Sequence, residues 1–149
     1  MTTATEATRP GQTTPTVSGF HHLGLTVRDI TASEAWYTEA LGLVRAFVEP
    51  HGTGDGYAVV MTRPGTGLFV GLDFHPEADL EIFSARRTGL DHLALQVASR
   101  QDIDDWVAYL DAIGVEHGAL TESVEPLPHA LFVFRDPDLI PIELFWLGA

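Results

Sequence analysis

Apolar and polar residues alternate in two distant segments of this 149-residue chain. In the first, Leu23, Leu25 and Val27 fall on one face of an extended strand, and His22, Gly24 and Thr26 fall on the other. The second sets Leu93, Leu95 and Val97 against His92 in the same way. After each strand the apolar spacing lengthens to the helical period. Thr31-x-x-Glu34 reads as a capping box, Trp36, Tyr37, Ala40 and Leu41 form the stripe, and Gly42 stops the helix. Ser99 with Asp102 opens the second helix, Ile103, Trp106, Val107 and Leu110 line it, and Gly114 closes it. Both tryptophans are core residues on this pattern. Three more extended runs are predicted in each half, near 44–49, 57–63 and 68–74, then near 115–120, 129–135 and 140–146. The turns Arg63-Pro64-Gly65-Thr66-Gly67 and Arg135-Asp136-Pro137-Asp138 join the last two of each set.

The two halves are copies. GFHHLGLTV at 19–27 aligns with GLDHLALQV at 89–97, with five identities in nine at an offset of 70, and Trp36 meets Trp106 at the same offset. Leu41-Gly42-Leu43 meets Ile113-Gly114-Val115 at 72, and at that offset 57–72 aligns with 129–144, with Arg63 on Arg135 and Leu72 on Leu144. Three blocks in order with one small shift make a duplication. The fold class is therefore α+β: two βαβββ modules, about 17–80 and about 87–147, forming one domain over 17–149. Their curved sheets carry helices on one face and enclose a central cavity. Residues 1–16, with seven threonines and no apolar stretch, read as a disordered arm.

Composition removes several chemistries. There is no cysteine, which excludes disulfides and thiolate sites, and all eight basic residues are arginine, which excludes a lysine Schiff base. The 21 acids give a net charge of −13, a surface that repels nucleic acid and anionic membranes. Without an export signal or a membrane-spanning apolar run, the chain is expected in the cytoplasm. Seven histidines and the carboxylates are left as metal-binding groups.

Strand parity sorts them. His22 and His92 lie opposite the apolar faces of their strands, and Glu143, between Ile142 and Leu144, points the same way. Sheets curling toward each other would gather these three into a site of two histidines and one carboxylate, with positions left for substrate. The divalent ion would be iron, manganese, nickel or zinc. Glu143 aligns with Gly71, so the fourth position of a symmetric ancestor has no side chain, which leaves room for substrate or dioxygen at the metal; otherwise Gly71 is a bulge or close-packing glycine. His129 aligns with Tyr57 and is placed as an acid–base group in the cavity or as an exposed strand start. Gly71, Asp73 and Tyr57 are expected around the substrate pocket. His21 is expected at the core edge, His75 shares the parity of Gly71 and Asp73, and His51 and His117 carry no motif.

These residues resemble the vicinal oxygen chelate superfamily, the glyoxalase, bleomycin-resistance and extradiol-dioxygenase group. The resemblance rests on His-Leu-x-Leu at both module starts, Trp36-Tyr37 before Leu41-Gly42-Leu43, and Asp136-Pro137-Asp138 before Ile142-Glu143-Leu144. It covers about 17–147 and implies metal ligands at His22, His92 and Glu143. Glyoxalase I has a glutamate at the position of Gly71 and methylmalonyl-CoA epimerases a glutamine, so neither activity is expected. The thiol transferases that modify fosfomycin use a lysine that this chain lacks. The resemblance implies a small metal-dependent enzyme, with Glu143 both ligand and catalytic group, that chelates an oxygen-bearing organic substrate in oxygenase or lyase/isomerase chemistry. The other readings are a drug-sequestering protein of the bleomycin-resistance type, without metal, or a degenerate module with leftover histidines. A homodimer is the expected assembly, and sites in such dimers sometimes form across chains. The turn Asp138-Leu139-Ile140 also lacks the glycine usual after Asp-Pro-Asp in this superfamily.

Overall fold

The computed structural model describes residues 15–52 and 54–148, so most of the proposed N-terminal arm lies outside the described residues. The first module runs β1 (Leu23–Thr26), α1 (Ile30–Leu41), β2 (Val44–Pro50), β3 (Tyr57–Arg63) and β4 (Leu68–Phe74). The second runs β5 (Leu93–Gln96), α2 (Arg100–Ile113), β6 (Thr121–Ser123), β7 (His129–Arg135) and β8 (Pro141–Leu147). Each module forms one mixed four-stranded sheet, ordered β1-β4-β3-β2 and β5-β8-β7-β6. The duplication is visible in the register. β1 lies parallel to β4 with Gly24 opposite Gly71, and β5 lies parallel to β8 with Ala94 opposite Glu143.

The helices begin and end for local reasons. Gly42 and Gly114 take left-handed φ values of 65° and 74°, which stop α1 and α2 as expected. Ser99 and Asp102 make the full capping box of α2. In α1 the cap is instead Asp29, whose carboxylate accepts from the Ala32 amide at 3.0 Å. Thr31 therefore already lies inside the helix, and Glu34 turns outward to pair with Arg45.

The helix-facing sides of both sheets share one core. Leu25, Leu72 and Val59 from one sheet and Phe132, Leu144 and Ile142 from the other are buried in it. Each helix also reaches into the opposite module. Trp36 of α1 packs on Phe134, with ring centroids 6.1 Å apart, and the Tyr37 hydroxyl donates to buried Asp136 at 3.0 Å. From α2, Trp106 lies under the Arg63 guanidinium, 5.2 Å from its ring centroid, and the Tyr109 hydroxyl donates to the Glu39 carbonyl at 2.5 Å.

Three sequence expectations change. The run near 115–120 makes only an isolated bridge between His117 and Phe134, and the pairing strand β6 comes later, at 121–123. His117 instead uses its ring on the Gly118 carbonyl (2.8 Å) and on Asp111 of α2 (3.3 Å). The repeat also shifts by one residue within the sheets. Val59 faces Leu72, while Phe132 faces Leu144, so β3 and β7 correspond at 73 although β4 and β8 correspond at 72. Tyr57 is thereby matched with Ala130 rather than His129. It points to the core side against Phe74, with ring centroids 5.4 Å apart, and is not at the open face where a substrate pocket was expected.

The β7–β8 turn accounts for part of that shift. The Asp136 carboxylate accepts from the amides of Asp138 (2.9 Å) and Ile140 (2.8 Å), and Leu139 takes a left-handed φ of 68°. The conformation usual for a glycine is thus held by a leucine. Replacing Leu139 with glycine should raise stability by about 1 kcal/mol or less, because relief of left-handed strain exceeds the added freedom of the unfolded chain. A lower urea midpoint for Leu139→Gly would contradict this account.

Candidate metal centre

Parity delivers Glu143 and Asp73 to the sides of the sheets that carry no helix. In sheet 1 that open face carries Phe69, Gly71 and Asp73 of β4, between the core residues Val70 and Leu72. In sheet 2 it carries Glu143 between Ile142 and Leu144, both buried. Glu143 is half-buried and enters none of the ion pairs formed among the described residues. Its neighbours are Ala94 across the β5–β8 ladder and Val133 across the β7–β8 ladder, neither of which offers a side-chain hydrogen bond. His92, two residues before Ala94, is exposed, and its Nδ1 lies 2.7 Å from Asp91 Oδ1. A carboxylate that holds the proton on Nδ1 leaves Nε2 as a metal-ligating lone pair.

His22 stands apart from these two. Ladder pairing in β1 starts only at Leu23, so alternation does not constrain residues 21 and 22. His21 is consequently not a core-edge residue. It stacks on the open-face Phe69 at 6.2 Å, with planes 10° apart, and its Nδ1 lies 2.8 Å from that of His22.

The way the modules join sets His22 apart from His92 and Glu143 within one chain. Arg28, just past β1, pairs with Asp138 in the turn that leads into β8, at 2.5 Å, and also donates to the Pro137 carbonyl. The C-terminal end of β1 therefore meets the end of sheet 2 where β5 and β8 begin. The relation is reciprocal, since Gln96 and Val97 at the end of β5 share a cleft with Gly67 and Leu68 at the start of β4. His22 and His92 precede strands that start at opposite ends of the molecule, and the six residues from His22 to Arg28 span up to about 20 Å. Within one chain His22, His92 and Glu143 are not gathered into a common cluster. Among the described residues, the one trio of metal-capable side chains with ligand atoms within 4.8 Å of one another is His51, Asp73 and His75.

The weaker candidates are also resolved. His129 lies on the open face, stacked on Phe145 at 5.8 Å, and its Nδ1 is 2.9 Å from the Leu127 carbonyl. It pairs with Leu147, whereas Glu143 pairs with Val133. Those four residues place it roughly 13 Å from the Glu143 rung, too far for proton transfer at a metal on Glu143. Gly71 does not leave an open space. A Cβ there would meet Asp73 Oδ2 at 3.2 Å, and one on Gly24 would meet it at 2.9 Å, so the Asp73 carboxylate lies across both glycines. His51, which has no motif around it, holds the other oxygen of Asp73 through Nε2 at 3.0 Å.

Two βαβββ modules, each a mixed four-stranded sheet with a helix on one face, define a recognisable class of domain. Residues 19–144 match the family described as the glyoxalase/bleomycin resistance protein/dioxygenase superfamily, and the chain belongs to it. A glyoxylase/bleomycin resistance protein/dioxygenase domain from Frankia sp. EAN1pec is 31% identical, with a TM-score of 0.76 over 89% of this chain and 100% of that one. A glyoxalase family protein from Enterococcus faecalis is 21% identical, with a TM-score of 0.70 over 86% of this chain and 97% of that one. The fosfomycin resistance protein FosX from Listeria monocytogenes, complexed with Mn(II) and sulfate, is 19% identical, with a TM-score of 0.63 over 90% of this chain and 95% of that one. Among curated proteins none matches the chain. Among the described residues no helix is long and apolar enough to cross a membrane.

Proposed function

We propose that the chain is a divalent-metal-dependent enzyme whose site is completed by a second copy of itself. His92 and Glu143 of one protomer and His22 of its partner are the ligands. The observation that carries this reading is Glu143, a carboxylate set into an open sheet face without a cationic partner among the described residues, on the strand edge shared with His92. Such a group fits a cation supplied from outside the chain. The separation of His22 from this pair within one chain supports drawing it from the other protomer. In support of a dimer, every residue of β2 is exposed, including Val44, Phe47 and Val48, so one sheet edge remains for a second chain to cover. The Mn(II) in the FosX structure supports a divalent ion on this fold.

A metal bound there supplies Lewis-acid polarisation of paired oxygens on a small organic substrate. The chain's own contributions are then distinct. Asp91 fixes the ring of His92, and three protein ligands leave the remaining coordination positions of the ion to substrate. That open coordination supports oxygenase or lyase/isomerase chemistry over the glyoxalase reaction, and a metal-binding Glu143 argues against simple metal-free sequestration. Metal analysis of protein purified without a polyhistidine tag should show His92→Ala carrying about one equivalent per chain less than wild type. Equal metal content in the two proteins would sink the proposal.

A further inference from the structure

The trio on sheet 1 is independent of that centre. We propose that His51, Asp73 and His75 form a second divalent-metal site, suited to zinc, nickel or cobalt, on the open face of the first module.

The three side chains come from the ends of β2 and β4, which lie at the same end of the sheet on either side of β3. His51 follows β2, Asp73 lies near the end of β4, and His75 follows β4 by one residue. Their ligand atoms already lie within 4.8 Å of one another. Ligands of a tetrahedral zinc ion stand about 3.4 Å apart, given bonds of about 2.0–2.1 Å. Closing the trio therefore requires only small side-chain rotations. His51 Nε2 is 3.0 Å from Asp73 Oδ1, and the His51 and His75 rings lie 4.7 Å apart at 33°. A metal would replace the proton that this imidazole–carboxylate contact now shares.

The backbone beneath the trio is pinned. The His51 amide donates to the Gly56 carbonyl at 2.9 Å, the Asp73 carbonyl accepts from Val27 at 3.1 Å, and the His75 carbonyl accepts from Ala78 at 3.0 Å. Glycines clear the space around it. A Cβ on Gly56 would come within 2.6 Å of His51 Nδ1 and 2.9 Å of the Phe74 carbonyl oxygen, and a Cβ on Gly24 within 2.9 Å of Asp73 Oδ2. Gly56 and Gly24 are not among the residues with left-handed φ, so space rather than backbone freedom demands glycine at both. His51 and Asp73 are only about one-fifth exposed, and His75 opens to solvent. Two imidazoles and one carboxylate favour a borderline transition ion over magnesium or calcium, which take mostly oxygen ligands. Three protein ligands leave a fourth position for water or a small anion.

The test is metal counting on the full-length, untagged, metal-stripped protein, by native mass spectrometry and calorimetric titration with Zn2+. Cobalt absorption would report four-coordinate geometry. Wild type should take up two equivalents per chain. His51→Ala/His75→Ala and Asp73→Asn should each lose one, with circular dichroism unchanged, and Glu143→Gln should lose only the other. If the Glu143 centre fails instead, wild type binds one equivalent that disappears with His51 and His75 and is indifferent to Glu143. Uptake by the double histidine variant and by Asp73→Asn equal to that of wild type overturns the second site, whatever Glu143→Gln does.

Discussion

Mixing His22→Ala and Glu143→Ala protomers, each unable to build a complete His22–His92–Glu143 centre alone, should restore about a quarter of the wild-type occupancy at that centre. The fraction follows from symmetry: random exchange makes half of the dimers mixed, and each mixed dimer holds one intact and one doubly impaired site. The intact site takes His22 from the Glu143→Ala chain, and His92 and Glu143 from the other. Carrying His51→Ala in both chains removes the sheet 1 trio as a background. Metal content after joint refolding, compared with each variant refolded separately, gives the answer. No gain in the mixture would mean that the three ligands do not meet across two copies. The prediction follows from one contact pattern, Arg28 on Asp138, which sets the starts of β1 and β5 at opposite ends of the molecule.

Replacing Asp136 with alanine should lower stability by about 3–5 kcal/mol, a large part of the roughly 5–15 kcal/mol that holds a domain together. This carboxylate is 2% exposed and accepts from three donors, the Tyr37 hydroxyl and the amides of Asp138 and Ile140. Alanine leaves all three without their acceptor in the interior. Burial raises the pKa of Asp136, opposed by those three hydrogen bonds, and burial with the adjacent Asp136 charge pushes the Tyr37 hydroxyl far above its usual range. The interaction therefore works as a fixed acceptor rather than a cation pair. Asp136→Asn keeps an acceptor oxygen and should cost about 1–2 kcal/mol. Urea unfolding of both variants separates them, and equal midpoints would show that turn geometry rather than acceptance matters. Because Tyr37 belongs to α1 and Asp136 to the β7–β8 turn, the loss should loosen the contact between modules.

Much of the architecture was legible from local pattern. Alternation around Leu23 and Leu93 and the offset of 70 named the module starts, and the register of Gly71 and Glu143 against β1 and β5 agrees with the aligned repeat. Parity failed where its premise ended. Residues 21 and 22 have no ladder partner, so His21 could turn onto Phe69. Tyr57 was misplaced because a one-residue shift in β3 relative to β7 exchanges the faces of a strand, and sequence identity at Arg63 and Arg135 concealed it. His51 had no local signal at all, since its partners Asp73 and His75 lie 22 and 24 residues onward, across a strand pair.

The order of apolar and polar residues therefore determined the two modules, their helices and the open-face position of Glu143, because those depend on periods of two and 3.6 residues. Which module ends meet, and hence that His22 and Glu143 stand apart within one chain, was decided only in the tertiary structure. Two sheets bury the same apolar faces in either arrangement, and the choice rests on contacts such as Arg28 with Asp138 and Tyr37 with Asp136, 110 and 99 residues apart.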